Sequence, residues 1–438
     1  EIKIFKNGTS AFYGESVSSA VDISSRTAEI GKTNLTIGSN MISADFFTRI
    51  RASEKADFEL SARRSFTDAL DFPTYTKYSK RIFQNTVITD LDNSTAINYR
   101  GDKEFYFYDF TGQYHQKIGE KNDFYINLIG INNDLDFVQG SVLITELSNL
   151  NQLTLGTSAG WKTQWSNEHS TEGTVYASYY NVEGRNSSFE SAQVMEQENS
   201  ILDTGIKISV YSQKLNNRYW LHTGYQFNEI GIQNSDKVNE PEYSRKQKDV
   251  LRIHALIAEA EYDSENGRLH SRGGLRFNYI QEFGMFYPEP RLQLNYMLSP
   301  SWKLEALAEM KSQTASQIVE LQGDFLGIEK RRWILSNNRE IPVQKSRQAS
   351  VGLTFKENGW LVTFENFYKK VKGITTAGQG FQDQLELRDD IGSYTVFGSE
   401  FLIQKQFRGF YTWLSYTFNN NDYKFETFSP ESFKFIIV

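Results

Sequence analysis

The chain reads as an all-β protein, a transmembrane antiparallel β-barrel, and three observations predict this. From Asp102 to Asn420 it carries fourteen segments that alternate apolar and polar residues with a period of two. Tight connectors fall at about 118–122, 168–172, 215–217, 263–268, 299–301, 357–359 and 407–409, and longer ones lie between them. Aromatic residues make up 14% of the chain, with Tyr and Trp near segment ends, where an amphipathic ring suits the headgroup zone. A soluble sandwich has no reason to lengthen every second connector. A barrel in an outer membrane does, because one rim faces the periplasm and the other carries the outward, ligand-meeting loops.

Composition narrows the function classes. The 438 residues contain no cysteine, which removes disulfides, thiolate metal sites and cysteine nucleophiles. Mean hydropathy is −0.53 and no run of eighteen apolar residues occurs, so helical spans are excluded while barrel strands are not. The net charge of −7 and the absence of a long basic block argue against a nucleic-acid partner. The sequence starts at Glu1 without a signal peptide and is expected to be processed or a fragment.

Individual strands carry the pattern. In 218–229, Tyr219, Leu221, Thr223, Tyr225 and Phe227 share one face, and Trp220, His222, Gly224, Gln226 and Asn228 share the other. Across the turn Ser299-Pro300-Ser301, Leu292, Leu294, Tyr296 and Leu298 oppose Arg291, Gln293, Asn295 and Met297. Then Trp302, Leu304, Ala306, Ala308 and Met310 oppose Lys303, Glu305, Leu307, Glu309 and Lys311. Five apolar positions on one face extend roughly 27–30 Å along a strand, matching a hydrocarbon band of about 25 Å. Residues 33–39, 42–50 and 57–64 add three strands, for seventeen in all. Single-chain bacterial barrels close with an even number, so further strands are expected beyond this chain, or from another one.

The first fourteen residues, Glu1 to Gly14, resemble the closing segment of the plug domain in TonB-dependent outer-membrane receptors. The match falls on Ile2, Ile4, Lys6, Ser10, Tyr13 and Gly14, and Ala20-Val21-Asp22-Ile23 stands where the family has its next strand. The sequence departs from the family at Lys3, at Asn7-Gly8, and at Ser18-Ser19, where paired glycines are usual. Ala62–Asp68 resembles a segment of receptors from Bacteroidetes-type bacteria, and Pro290–Leu292, Phe364–Tyr368 and Tyr416–Phe418 resemble their barrel strands. The resemblance implies residues 1–30 as the end of a plug and 31–438 as a barrel incomplete at its C-terminus, with about 22 strands in the whole protein. It further implies energy-coupled uptake of a ferric chelate, glycan or peptide, with no enzymatic activity and no cofactor. The implied partners are outer-membrane lipid and lipopolysaccharide, the TonB complex through a preceding region, and a surface lipoprotein lid. The alternative it leaves is a receptor-derived barrel serving as a structural subunit of an outer-membrane complex.

Site residues follow from these readings. Gly8 and Gly14 suit sharp changes of direction at the plug–barrel seam, and Lys3 and Lys6 can pair with carboxylates on the wall. The five histidines have no short ligand spacing; His222 and His254 lie on strands that allow inward placement. Substrate contacts are expected from outer loops at about 66–100, 138–150, 183–201, 233–248, 314–345 and 374–392. Within them, Tyr75 and Tyr78 offer stacking surfaces. Arg331, Arg332, Trp333 and Arg339 offer a basic and aromatic cluster for an anionic group. No metal site is assigned, since Asp134 and Asp136 alone bind Ca²⁺ only weakly.

Overall fold

Alternation with a two-residue period gives a strand one apolar and one polar face, and a ring of such strands can show the first to lipid and the second to water. The computed structural model describes residues 2–24, 33–70, 73, 103–140, 145–188, 192–214, 218–319, 331–376 and 390–426. An N-terminal hairpin pairs β1 (Ile2–Phe5) with β2 (Ala20–Ile23). The wall begins with β3 (Asn34–Ser39), β4 (Ser43–Arg51), β5 (Ala56–Ser65), β6 (Lys103–Ile118), β7 (Asn122–Gly140) and β8 (Thr145–Gln164). It continues with β9 (His169–Ser188), β10 (Val194–Lys214), β11 (Tyr219–Asn239), β12 (Glu242–Asp263), β13 (Leu269–Ile280), β14 (Met285–Ser299) and β15 (Trp302–Gln313). A second hairpin, β16 (Ala315–Val319) with β17 (Arg331–Leu335), interrupts the series. The wall then resumes with β18 (Gln344–Glu357), β19 (Trp360–Thr375), β20 (Ile391–Gln406) and β21 (Tyr411–Phe425).

Seventeen of these strands form one antiparallel barrel, and its fourteen strands from β6 onward match the fourteen alternating segments of the sequence. Successive neighbours from β3 to β21 pair antiparallel, with register shifts at Met297/Ser299 and at Lys372/Ile374. β21 and β3, the two ends of this series, stand next to each other. Side chains beside that seam are bare: Leu35, Ile37, Trp413 and Leu414 are each more than half exposed.

Register fixes which residues face out. On β10, Leu202, Ile206, Ile208 and Val210 are exposed, and their cross-strand partners on β11 include Phe227, Tyr225 and Thr223. This outward face turns polar at Glu229, which holds Arg252 at 2.7 Å. At the tight-turn rim the band ends in rings: Tyr219 against Tyr262, Trp302 against Phe355, and Trp360 under Lys405. Aromatic girdles of this kind bound a lipid-facing band.

The outer connectors differ from the sequence expectation. Strands β7 to β12 run 19 to 22 residues, about twice the 9–11 needed to cross a bilayer. Most of the expected loops 138–150, 183–201 and 233–248 are therefore strand that continues past the apolar band, and β11 meets β12 through only Glu240-Pro241. The turn at 281–284 is also short, at four residues, so long and short connectors do not strictly alternate. On the outward side of this extension, Asn149 donates to Asp136 and Asn151 to Asp134, each at 2.8 Å. Those carboxylates are thus engaged in a cross-strand amide ladder. His254 is the other correction. It accompanies Tyr225 and Phe227 on the outward face, hydrogen-bonded to the Tyr225 hydroxyl at 2.8 Å, because its register partner is Phe227.

Candidate functional site

Two segments occupy the lumen. The first is the stretch between β1 and β2, whose residues meet a cluster of inward charges on β12 to β15. Those charges recur at every second position of adjacent strands, which is why one wall carries them all: Glu259 and Glu261, Arg272 and Arg276, Glu289 and Arg291, Glu309 and Lys311.

The contacts are specific. Glu309 accepts from the Thr9 backbone N–H and hydroxyl, both at 2.7 Å. Glu259 accepts from the Ser10 hydroxyl at 3.0 Å and the Ala11 N–H at 2.7 Å. Arg291 donates to the Thr9 hydroxyl at 2.8 Å and to the Ser10 carbonyl, and Arg272 donates to the Gly8 carbonyl at 2.6 Å. Gln313 accepts from the Val17 N–H, and Lys311 donates to the Ser18 carbonyl. Lys6 reaches Glu400 on β20 at 2.5 Å, as its wall-pairing expectation has it. Thr9, Ala11, Glu259, Glu309 and Lys311 are all buried, so these are charge-assisted bonds in a low dielectric, the strongest class.

Behind this layer the wall charges satisfy one another. Glu289 accepts from Arg291, Asn278 and Ser312 at 2.6–2.9 Å, and Arg276 donates to Asn278 and Gln226 at 2.8 and 2.9 Å. Close approach of the segment requires glycine on both sides. Gly8 has φ +62°, and a Cβ there would stand 2.8 Å from Leu307; at Gly14 it would stand 2.6 Å from the Arg276 guanidinium. On the wall, Gly224 makes room for the Phe12 ring and Gly274 for Ala11.

Two groups of the segment titrate unusually. Burial pushes the Glu15 carboxyl up from its ordinary 4.5 to about 7, although Thr314 donates to it through both N–H and hydroxyl. Burial, with a hydrogen bond to Asp22, pushes the Tyr13 hydroxyl up to about 12. Opposite the anchored side, a cavity of about 600 Å³ separates Ile23 and Ser24 from Phe47, Glu59, Thr111 and Tyr125 on β4 to β7. The segment is therefore pinned to one wall and open towards the other.

The second luminal segment is the β16–β17 hairpin. Trp333 exchanges backbone hydrogen bonds with the side chain of Asn199, and Asn234 also donates to its carbonyl. Leu335 joins an apolar cluster with Ile230, Ile232, Leu251, Ile253 and Ile280 on the inward face of β11 to β13.

Of the residues singled out from the sequence, the structure gathers the N-terminal motif and scatters the rest. Lys6, Ser10 and Gly14 meet the wall, Tyr13 bonds to Asp22, and Ile2 and Ile4 lie exposed on β1. Arg332 is buried and paired with Asp236 at 2.6 Å, Trp333 is part-buried beside it, and Arg339 is exposed in the following turn. Tyr75, Tyr78 and the Arg331 side chain lie outside the described residues. The pinning residues Glu259 and Arg272, and Arg276 and Glu289 behind them, were missed. Their signal was present as charge at a single parity on three consecutive strands.

Comparison with solved structures gives the fold a context. The chain is similar to a mutant of the ferric enterobactin receptor PfeA from Pseudomonas aeruginosa, at 12% identity and TM-score 0.61, over 96% of this chain and 66% of that one. It is similar to the copper transporter OprC at 12% and 0.63, with the same coverage, and to the outer membrane transporter YddB from Escherichia coli at 8% and 0.64, covering 96% and 64%. The chain thus spans just under two thirds of the length of these structures. No family model matches the sequence, and no curated protein does. At these identities the likeness establishes the fold: the chain has the transmembrane barrel of outer-membrane receptors and transporters.

Proposed function

We propose that this chain is the barrel, with the innermost part of a luminal plug, of a TonB-dependent receptor that takes up a scarce solute across a bacterial outer membrane. The observation that carries the reading is the N-terminal segment held in the lumen by buried charges. A simple porin has no use for a segment that fills its channel, whereas an energy-coupled transporter needs one that is stable at rest and can be displaced. Cargo is a ferric chelate, a glycan or a peptide. It is met by the outer rim, with Tyr75, Tyr78, Arg331 and Arg339 as contact candidates and Trp333 in the middle of β17. Lipopolysaccharide, the TonB complex and a surface lipoprotein lid are the partners that accompany such a role, and the work is transport, with no catalytic step.

The test is uptake in the source bacterium. Deleting the gene should abolish accumulation of one class of labelled solute, and a protonophore should abolish it in the parent strain. Growth and uptake unaffected by deletion across all three cargo classes, together with co-purification of the barrel in a stable complex, would favour the structural-subunit role instead.

A further inference from the structure

Near the tight-turn rim, His222 on β11 lies directly across from Glu259 on β12, and Glu261 sits two residues on, on the same inward face. One ligand atom from each lies within 4.8 Å of the other two. The His222 Nε2 is buried and has no hydrogen-bond partner among the described residues, although its ring is held between Tyr211, at 4.6 Å, and the edge of Phe12, at 6.2 Å. A buried ring nitrogen left without a partner is uncommon, because the lost hydrogen bond is not replaced by water. Two carboxylates on neighbouring inward positions also repel one another. The Arg272 Nε, 4.0 Å from Glu259, offsets one of their two charges.

We propose that His222, Glu259 and Glu261 form a luminal site for a borderline divalent cation of the Zn²⁺ type, and that filling it weakens the hold on the N-terminal segment. One imidazole and two carboxylates, with water in the fourth position, is a ligand set that Zn²⁺ accepts. Metal–ligand bonds of about 2.0–2.2 Å put tetrahedral ligand atoms roughly 3.3 Å apart, so the three side chains need draw together by at most about 1.5 Å. Glu259 is the shared element, because both of its oxygens already hold the segment, through Ser10 and Ala11. Turning towards His222 takes it from those donors. The cation also withdraws the negative charge that makes their hydrogen bonds strong. This site does not depend on the uptake reading: it concerns a cation bound at the wall, whatever the solute and whether or not one is transported.

The chain's lack of cysteine makes the experiment clean. The full chain, extracted in detergent and stripped of metal, is titrated with Co²⁺, whose visible absorption reports tetrahedral coordination. Expected is one equivalent bound, displaced by Zn²⁺, with affinity lowered about tenfold or more in His222→Gln and in Glu261→Gln. Glu261→Gln leaves the segment's own hydrogen bonds intact and so keeps the test alive if His222→Gln does not fold. Co²⁺ should also speed deuterium labelling of the Ala11 amide, which Glu259 holds, by about tenfold. No binding by the parent, or equal binding by both variants, overturns the site. Binding that leaves the labelling rate unchanged overturns its coupling to the segment.

Discussion

Replacing Glu309 with Ala removes the acceptor that holds Thr9 at two points, 2.7 Å each, and leaves Lys311, 3.3 Å away and buried, without its carboxylate. A hydrogen bond to a charged group contributes about 1.5–3 kcal/mol, and breaking a buried ion pair from one side costs about 3–5 kcal/mol. These overlap, since the same carboxylate serves both. The part that falls on the segment is its two lost bonds, about 3 kcal/mol. With 1.4 kcal/mol per factor of ten, the segment should open about 100-fold more often. A cysteine at Ala11 reads this directly, because that side chain is fully buried and any introduced thiol is the only one in the chain. Labelling by a bulky maleimide then tracks the population of the open state, provided closing outpaces reaction. Glu309→Gln keeps an acceptor for Thr9 and should raise the rate by only about tenfold, since a neutral bond is roughly half as strong. A Glu309→Ala rate within threefold of the parent would refute the view that this carboxylate holds the segment.

Gly8→Ala forces a Cβ into a left-handed backbone position and to 2.8 Å from Leu307, a combined cost of about 2–3 kcal/mol. The same labelling assay should show it as a rise of about 30- to 100-fold. Glu15 gives a pH dependence. Its folded pKa of about 7 lies above the ordinary 4.5, so its contribution to docking is fully present below pH 4.5 and is lost as pH rises through 7. The shift corresponds to about 3 kcal/mol, and labelling at Ala11→Cys, divided by that of a free thiol at the same pH, should accelerate between those values with Glu15 present but not in Glu15→Gln. Asp236→Asn removes the charge 2.6 Å from the buried Arg332 and should loosen the β16–β17 hairpin by about 1–3 kcal/mol. Hydrogen exchange at Ile334 and Leu335 would rise, while exchange in β18 to β20 would stay level.

The barrel was legible because lipid enforces the two-residue period: Tyr219, Leu221, Tyr225 and Phe227 have no other reason to share a face. Where lipid ends, that enforcement ends as well, yet the backbone ladder continues. Asn132, Asp134, Asn149 and Asn151 keep the pairing with amide hydrogen bonds, and a polar strand of this kind has the composition of a loop. Loop signals therefore overran strand at 138–150, 183–201 and 233–248. His254 illustrates a narrower limit. Whether an even-numbered residue of β12 faces in or out depends on register with β11, and the two-residue turn at Glu240-Pro241 sets that register. The Lys6 pairing and the glycine positions were legible because they belong to one short motif. Most partners of that motif lie some 250 to 300 residues away on β12 to β15, and Glu400 lies 394 away on β20; only the folded wall brings them together.

The two luminal segments are held by different physics, and that difference decides which can move. The β16–β17 hairpin rests mainly on apolar packing with Ile230, Ile232, Leu251 and Ile253. Lifting it would expose those side chains to luminal water at about 25 cal/mol per Å², with nothing gained in return. The N-terminal segment packs Val17 with Val371, Ile374 and Phe425, but rests mainly on Glu259, Arg272, Arg291, Glu309 and Lys311. Docked, these groups are satisfied by the segment and by each other; released, they are satisfied by water and by each other. Both end states are therefore stable, and only the half-released state, with buried charges missing partners and no water yet admitted, is costly. The cavity beside β4 to β7 supplies space from which water can enter. An apolar contact of equal strength would resist release at every stage and leave a sticky wall behind. A charged wall instead favours a segment that is firmly seated, cooperatively displaced and able to return, the properties the proposed uptake role requires.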